Sequence, residues 1–170
     1  MGVIIILSLE DGISPDTQTI DIKSLIVEIT KEYGSKFADK GLFLDIQKSV
    51  GNLTFLHDPR LVKEALLNLF DNIFFYSDKG IVRVKLLKTK NGIELIISNP
   101  ILEESITSKK DFLENTVNQF KRGTQSNKVN PGGTGLGVSI AKRIIERRGG
   151  EFNLRVNNNR FIVSLTFMKK

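Results

Sequence analysis

Pro131-Gly132-Gly133-Thr134-Gly135-Leu136-Gly137 runs straight into Val138-Ser139-Ile140-Ala141-Lys142. Four glycines in six positions allow close backbone approach and positive φ where a turn needs it. The apolar residues that follow recur at helical spacing, so the turn opens a helix. A helix start presents unpaired N–H donors and positive dipole potential, which together suit a phosphate. The blander reading of the same residues is a flexible loop followed by a cap. Two common phosphate loops are excluded by counting. A Walker A loop needs Gly-Lys-Ser/Thr, and Gly137 is followed by Val138-Ser139. A G-x-G-x-x-G motif starting at Gly133 or Gly135 needs glycine where Val138 and Ile140 stand.

Working outward, the helix spans about Thr134–Arg148 and stops at Gly149-Gly150 in the manner of a C-cap. Strands Glu151–Val156 and Arg160–Phe167 then flank the turn Asn157-Asn158-Asn159. On the other side, periodicity weakens from Pro100 to Gly133, apart from a short helical piece near Asp111–Phe120. A stretch this long within one domain reads as a lid or binding loop. Before it, Ile81–Leu86 and Ile93–Ile97 form a hairpin around Asn91-Gly92. Asp58-Pro59 starts a helix, Asp as cap and Pro in the first turn, that runs to about Ser77. Leu42, Leu44 and Ile46 alternate as a strand, and Leu53-Thr54-Phe55-Leu56 is its expected partner. Ile22, Leu25, Ile26, Ile29 and Tyr33 mark a first helix ended by Gly34 or Gly41, after a short strand over residues 18–22. Mixed order with adjacent hairpins argues an α+β fold, a two-layer α/β sandwich, rather than a doubly wound parallel sheet.

Inside the helix from Asp58 lies Asn68-Leu69-Phe70-Asp71-Asn72. Asn68 and Asn72 are four apart and share a face among apolar neighbours. An amide oxygen is a serviceable hard ligand for Mg2+, although two helical asparagines also suit a plain surface. Tyr76 follows one turn later, where its ring can stack on a base.

Composition narrows the field. The 170 residues are enough for one domain with its own core; the chain is 40% apolar and 26% charged, with no cysteine. Disulfide scaffolds and thiolate sites are excluded. The run Val3–Leu7 is far short of the about 18–20 residues that span a bilayer, and Ile6 stands where myristoylation wants Ser or Thr. The expected location is the cytoplasm, including the cytoplasmic part of a membrane-bound parent. A net charge of +6 suits an anionic ligand. The basic residues are dispersed and the aromatics are mostly Phe in apolar patterns, so a nucleic-acid partner is not expected.

These pieces carry a resemblance. Asn68-Leu-Phe-Asp-Asn72 with Tyr76-Ser77 resembles the N box of bacterial sensor histidine kinases, and Phe120-Lys121-Arg122 resembles the F box. Gly133-Thr-Gly-Leu-Gly137 with Ser139-Ile140-Ala141-Lys142 and Gly149-Gly150 resembles the G2 box and its helix. The likeness, to the histidine-kinase catalytic and ATP-binding domain, a branch of the ATPase superfamily that includes gyrase B and MutL, covers about residues 8–168. It implies a Bergerat fold, a mixed sheet covered by about three helices on one face, with a mobile ATP lid over about residues 100–133. Residues 1–12 would be the remnant of a dimerisation-helix end or linker, and 13–170 the ATP-binding domain.

The resemblance further implies ATP with Mg2+ as cofactors. Asn72 would ligate the metal and Asn68 would help position metal or phosphates. Gly133, Thr134, Gly135, Leu136 and Gly137 would line the nucleotide, mostly through backbone N–H groups, with Tyr76 against adenine. Arg122 would reach the γ-phosphate, the usual work of a cation in phosphoryl transfer. Hydrolytic relatives carry a Glu base four residues before the metal asparagine; here that position is Asn68, which cannot take up a proton. Glu64, a further turn back, is expected to lie too far away. The implied activity is transfer of the γ-phosphoryl group to a histidine on a separate dimerisation domain, in a homodimeric parent that signals to a response regulator.

The pattern departs from the family in places. Phe75 stands where the N box usually has Lys, and Asn99 replaces the Asp that accepts from the adenine amino group, without the glycines that follow it. An Asn oxygen still accepts that bond without charge assistance. These departures motivate the alternative, a degenerate nucleotide-binding or docking module. His57, the single histidine, precedes Asp58-Pro59 at a strand-to-helix junction and is expected to be structural or superficial rather than a phospho-acceptor.

Overall fold

The computed structural model describes residues 16–47, 50–101 and 137–169. The elements run β1 (Gln18–Asp21), α1 (Ile22–Asp39), β2 (Leu42–Gln47), β3 (Thr54–His57), α2 (Pro59–Tyr76), β4 (Gly80–Lys88) and β5 (Gly92–Pro100). After residues 102–136 come α3 (Gly137–Glu146), β6 (Glu151–Asn157) and β7 (Arg160–Met168). Five strands form one mixed sheet in the order β2-β4-β5-β7-β6, parallel only between β2 and β4; β1 and β3 make a separate antiparallel pair. Strict alternation sets the two faces of the sheet. Val82, Val84 and Leu86 of β4 are buried, as are Phe161, Val163, Leu165 and Phe167 of β7, while their neighbours are partly or fully exposed. The three helices cover that inner face, completing the expected two-layer sandwich.

Local sequence explains the boundaries. Asp21 and Asp58 each accept a backbone N–H of the following helix, from Lys23 and Arg60 respectively. Ile22 therefore begins α1 rather than ending the strand before it. Helix α1 passes through Gly34 and stops at Asp39, just before Gly41 (φ 77°). Helix α3 ends at Glu146, with Gly149 (φ 76°) donating to the Glu146 carbonyl and Gly150 to that of Ile145. Asn158 and Asn159 take positive φ, the type of turn that matches the twist of β6 and β7.

One pairing departs from expectation. Residues 53–56 do not partner β2; β3 pairs with β1, placing Ile20 opposite Phe55 with both side chains buried. The Phe55 ring stacks on Phe167 at 4.2 Å between centroids. Strand β2 instead runs parallel to β4, reached through α2, as a crossover connection permits. Ile46, near the end of this edge strand, is correspondingly exposed.

Helix α2 packs against both α1 and α3. Rings of Tyr33 and Phe37 from α1 meet Phe70, and the Tyr33 hydroxyl donates to Asp71 at 2.5 Å. Burial, with the Asp71 carboxylate beside it, pushes the Tyr33 phenol well above its ordinary pKa. Its neutral form is thus held as a donor, and the register of α2 on the core is set.

Candidate functional site

The apolar stripe of α2 is Val62, Ala65, Leu66, Leu69, Phe70 and Ile73. Seating that stripe in the core turns Asn68, Asn72 and Tyr76 onto one flank, a turn apart. With 1.5 Å per residue, Tyr76 lies about 12 Å along the axis from Asn68. Asn68 and Asn72 are half-buried and Tyr76 is exposed.

The start of α3 meets this flank at Asn68. A Cβ placed on Gly137 would stand 3.1 Å from Asn68 Oδ1 and 3.2 Å from its backbone oxygen. The glycine thus lets the first turn of α3 approach α2 closely. Asn68 Nδ2 donates to the Glu64 carbonyl at 2.9 Å and to Glu64 Oε1 at 3.3 Å. Glu64, expected to lie away from the site, touches it through Asn68.

At the other end of the flank, α2 stops at Ser77, whose N–H donates to the Ile73 carbonyl. Ser77 is buried and its Oγ accepts from Nδ2 of Asn99, which is 2% exposed on β5. Among the described residues no donor to Asn99 Oδ1 accompanies this bond. The Lys40 ammonium donates to the Phe74 carbonyl and so binds the last turn of α2, a favourable place for a cation. Phe75 is exposed with its ring edge-on to Phe74. It carries no charge towards the flank.

Structure and sequence thus bring together Asn68, Asn72, Tyr76, Asn99 and Gly137. Arg122, Gly133, Thr134, Gly135 and Leu136 lie outside the described residues, as do residues 1–12, the helical piece near 111–120 and nearly all of the stretch 100–133 read as a lid. Glu64 was not expected at the site, although it stands four residues before Asn68 on one helix face. Ser77 was part of the N-box likeness but had no role assigned to it.

The donor chemistry fits Mg2+, which prefers oxygen ligands and keeps water or phosphate oxygens for most of its shell. Asn72 makes no hydrogen bond among the described residues, leaving its carboxamide oxygen available. Among the described residues no group of three His, Cys, Asp or Glu could hold a metal.

His57 is elsewhere. It is 4% exposed, and its Nδ1 accepts the Asp58 N–H at 2.9 Å. Burial first, and the Arg148 guanidinium second, push its pKa below the ordinary imidazole value.

A mixed sheet under three helices, with the Asn68 carboxamide against a glycine-opened helix start, defines the class of sandwich-fold ATP-binding domains. Residues 57–168 match the profile of the histidine kinase-, DNA gyrase B-, and HSP90-like ATPases, and the chain belongs to that family. It is 27% identical over 144 residues to the sensor histidine kinase YkoH of Bacillus subtilis (strain 168), covering 85% of this chain and 30% of that protein. The solved catalytic domain of histidine kinase ThkA superposes with a TM-score of 0.70 at 20% identity, over 91% of this chain and 98% of that one. ThkA in complex with the response regulator TrrA gives 0.71 at 20% identity, over 99% and 46%. The chain spans less than a third of YkoH. No helix among the described residues is long and apolar enough to cross a membrane.

Proposed function

We propose that this chain is the ATP-binding catalytic domain of a two-component sensor histidine kinase, located in the cytoplasm. It binds ATP with Mg2+ and transfers the γ-phosphoryl group to a histidine on a separate dimerisation domain of a homodimeric parent, which passes it to a response regulator. The observation that carries the reading is the contact of Gly137 with Asn68, at one end of a flank that continues through Asn72 and Tyr76 to Asn99.

Each residue has a part in it. Backbone N–H groups at the start of α3 donate to phosphate oxygens, with the helix dipole behind them. Asn72 and Asn68 offer carboxamide oxygens to the metal and its water. Bound Mg2+ supplies charge neutralisation of the phosphates. Tyr76 offers a ring face to the base, and Asn99 Oδ1 accepts from the adenine amino group. Arg122, carried over from the F-box likeness, neutralises the γ-phosphate as its bond to the leaving ADP oxygen breaks and a bond to the acceptor nitrogen forms.

Transfer is favoured over hydrolysis by chemistry at position 68. A carboxamide accepts no proton from water, and Glu64 is engaged with Asn68 rather than presented to a water. YkoH is a sensor histidine kinase by name, and ThkA has been solved with its response regulator. Both support a phosphorelay partner.

The direct test is titration of the chain with a fluorescent ADP analogue, with Mg2+ and with EDTA. Saturable binding strengthened by Mg2+ is expected. Failure to bind at millimolar nucleotide would sink the reading. In the full-length parent, ATP should give acid-labile phosphate that disappears in Asn72→Ala.

A further inference from the structure

A carboxamide has two chemically different ends, and the one that faces the nucleotide decides its role. The oxygen accepts, and suits a metal or its water; the NH2 group donates, and suits a phosphate oxygen. At Asn68 the NH2 end is engaged one turn back along α2. One proton goes to the Glu64 carbonyl at 2.9 Å and the other towards Glu64 Oε1 at 3.3 Å. The oxygen end faces Gly137, at 3.1 Å from the position of a Cβ there, and no described residue donates to it.

The backbone carbonyl would be present with any residue at position 64. Only the side chain supplies the second acceptor, and without it the bond to the carbonyl alone holds the amide against turning over. Glu64 is half-buried and has no cationic partner among the described residues; the neighbouring Lys63 pairs with Glu28 instead. Its carboxylate is therefore committed to Asn68. A carboxylate at the NH2 end also polarises the amide, raising electron density on the oxygen, as outer partners do for metal ligands.

We infer that Glu64 is a positioning residue: it locks Asn68 with its oxygen turned towards the start of α3, making Asn68 an acceptor for the metal and its water rather than a donor to phosphate. The inference rests on the nucleotide-binding function proposed above. Glu64 touches no substrate itself. The Glu four residues before Asn68 thus acts as an orienter, not as the base of a hydrolytic enzyme.

The test uses Glu64→Ala, Glu64→Gln and Glu64→Met in the whole chain, the Met variant keeping stem length without an acceptor. The first readout needs no nucleotide. In 15N-labelled protein, the Asn68 side-chain NH2 signals, assigned by their loss in Asn68→Ala, should shift and exchange faster in the Ala and Met variants and stay put in Gln. The second readout is the ratio of ADP affinities with Mg2+ and with EDTA. That ratio should fall about tenfold in Ala and Met and stay within about twofold in Gln, with the EDTA affinity unchanged. Unmoved NH2 signals in both Ala and Met would overturn the lock. Moved signals with an intact Mg2+ enhancement would overturn its role towards the metal, as would equal losses with and without Mg2+, the mark of a merely structural residue. A wild-type chain that binds no nucleotide would overturn the proposed function and the metal role with it, while the NH2 signals would still decide the lock.

Discussion

Gly137 stands directly on Asn68, so closely that a methyl fits only if a neighbour gives by a few tenths of an ångström: a Cβ at 137 would lie 3.1 Å from the carboxamide oxygen and 3.2 Å from the backbone oxygen. This places the last residue of the glycine-rich turn, 69 positions away in the chain, against the first asparagine of α2. The two motifs on which the proposed function rests meet in space because α2 and α3 are neighbours over the sheet.

Gly137→Ala should therefore separate affinity from stability. The methyl forces the helices apart by a few tenths of an ångström, and alanine favours a helix over glycine by about 1 kcal/mol. Mild overpacking costs about 1–3 kcal/mol, so the net change in stability is small. Nucleotide affinity should fall about tenfold, equivalent to about 1.4 kcal/mol, because the donors of the first turn no longer sit where the phosphates need them. Thermal melting and ADP titration of the same protein check both halves. A variant that binds like wild type would remove the close approach from the mechanism.

How much of this was readable beforehand follows from range. The cap at Asp58, the β4–β5 hairpin and the β6–β7 turn are set by residues within a few positions, and their sequence signals were sufficient; Asp21 caps α1 in the same way, but the strand read over residues 18–22 ran through it. The partner of β2 was misread because closeness along the chain suggested a hairpin with residues 53–56. What decides it is a match of inward residues, Ile20 against Phe55, across an intervening helix and strand. The site shows the same division. Asn68, Asn72 and Tyr76 share a flank by helical spacing alone, whereas the bond of Asn99 to Ser77 needs two distant elements in place.

Asn72→Ala should leave the fold almost untouched, since its side chain is half-buried and makes no hydrogen bond among the described residues. Its effect should fall on metal-dependent binding. The affinity for ADP in Mg2+ should drop by about tenfold or more, while the affinity in EDTA holds. Isothermal titration in the two buffers reads the difference. Equal losses in both would reassign Asn72 to contacts with the nucleotide itself.

Asn99→Asp tests the floor of the base pocket. With a carboxylate, the Ser77 hydroxyl turns to donate and the remaining oxygen accepts the adenine amino proton with charge assistance, roughly twice as strong as the neutral bond. The preference for ADP over IDP, which lacks that amino group, should rise about fivefold. Burial of a charge lowers the melting temperature in the same variant. An unchanged ADP-to-IDP ratio would place the base elsewhere.

His57 should contribute to stability against acid. Its folded pKa lies below the unfolded value near 6.5, because burial and the Arg148 guanidinium both disfavour the imidazolium. Between the two values the unfolded chain binds more protons than the folded one, so stability rises with pH there. The contribution is fully present above the unfolded pKa and is lost as pH falls through the folded one. The Asp58 amide strengthens this, since it occupies the Nδ1 lone pair that a second proton would need. His57→Asn keeps an acceptor for the Asp58 amide and removes the titration. Urea unfolding from pH 8 down to pH 5 should show a loss of stability beginning near pH 7 in wild type and a flatter profile in the variant. Parallel profiles would assign the acid sensitivity to the carboxylates instead.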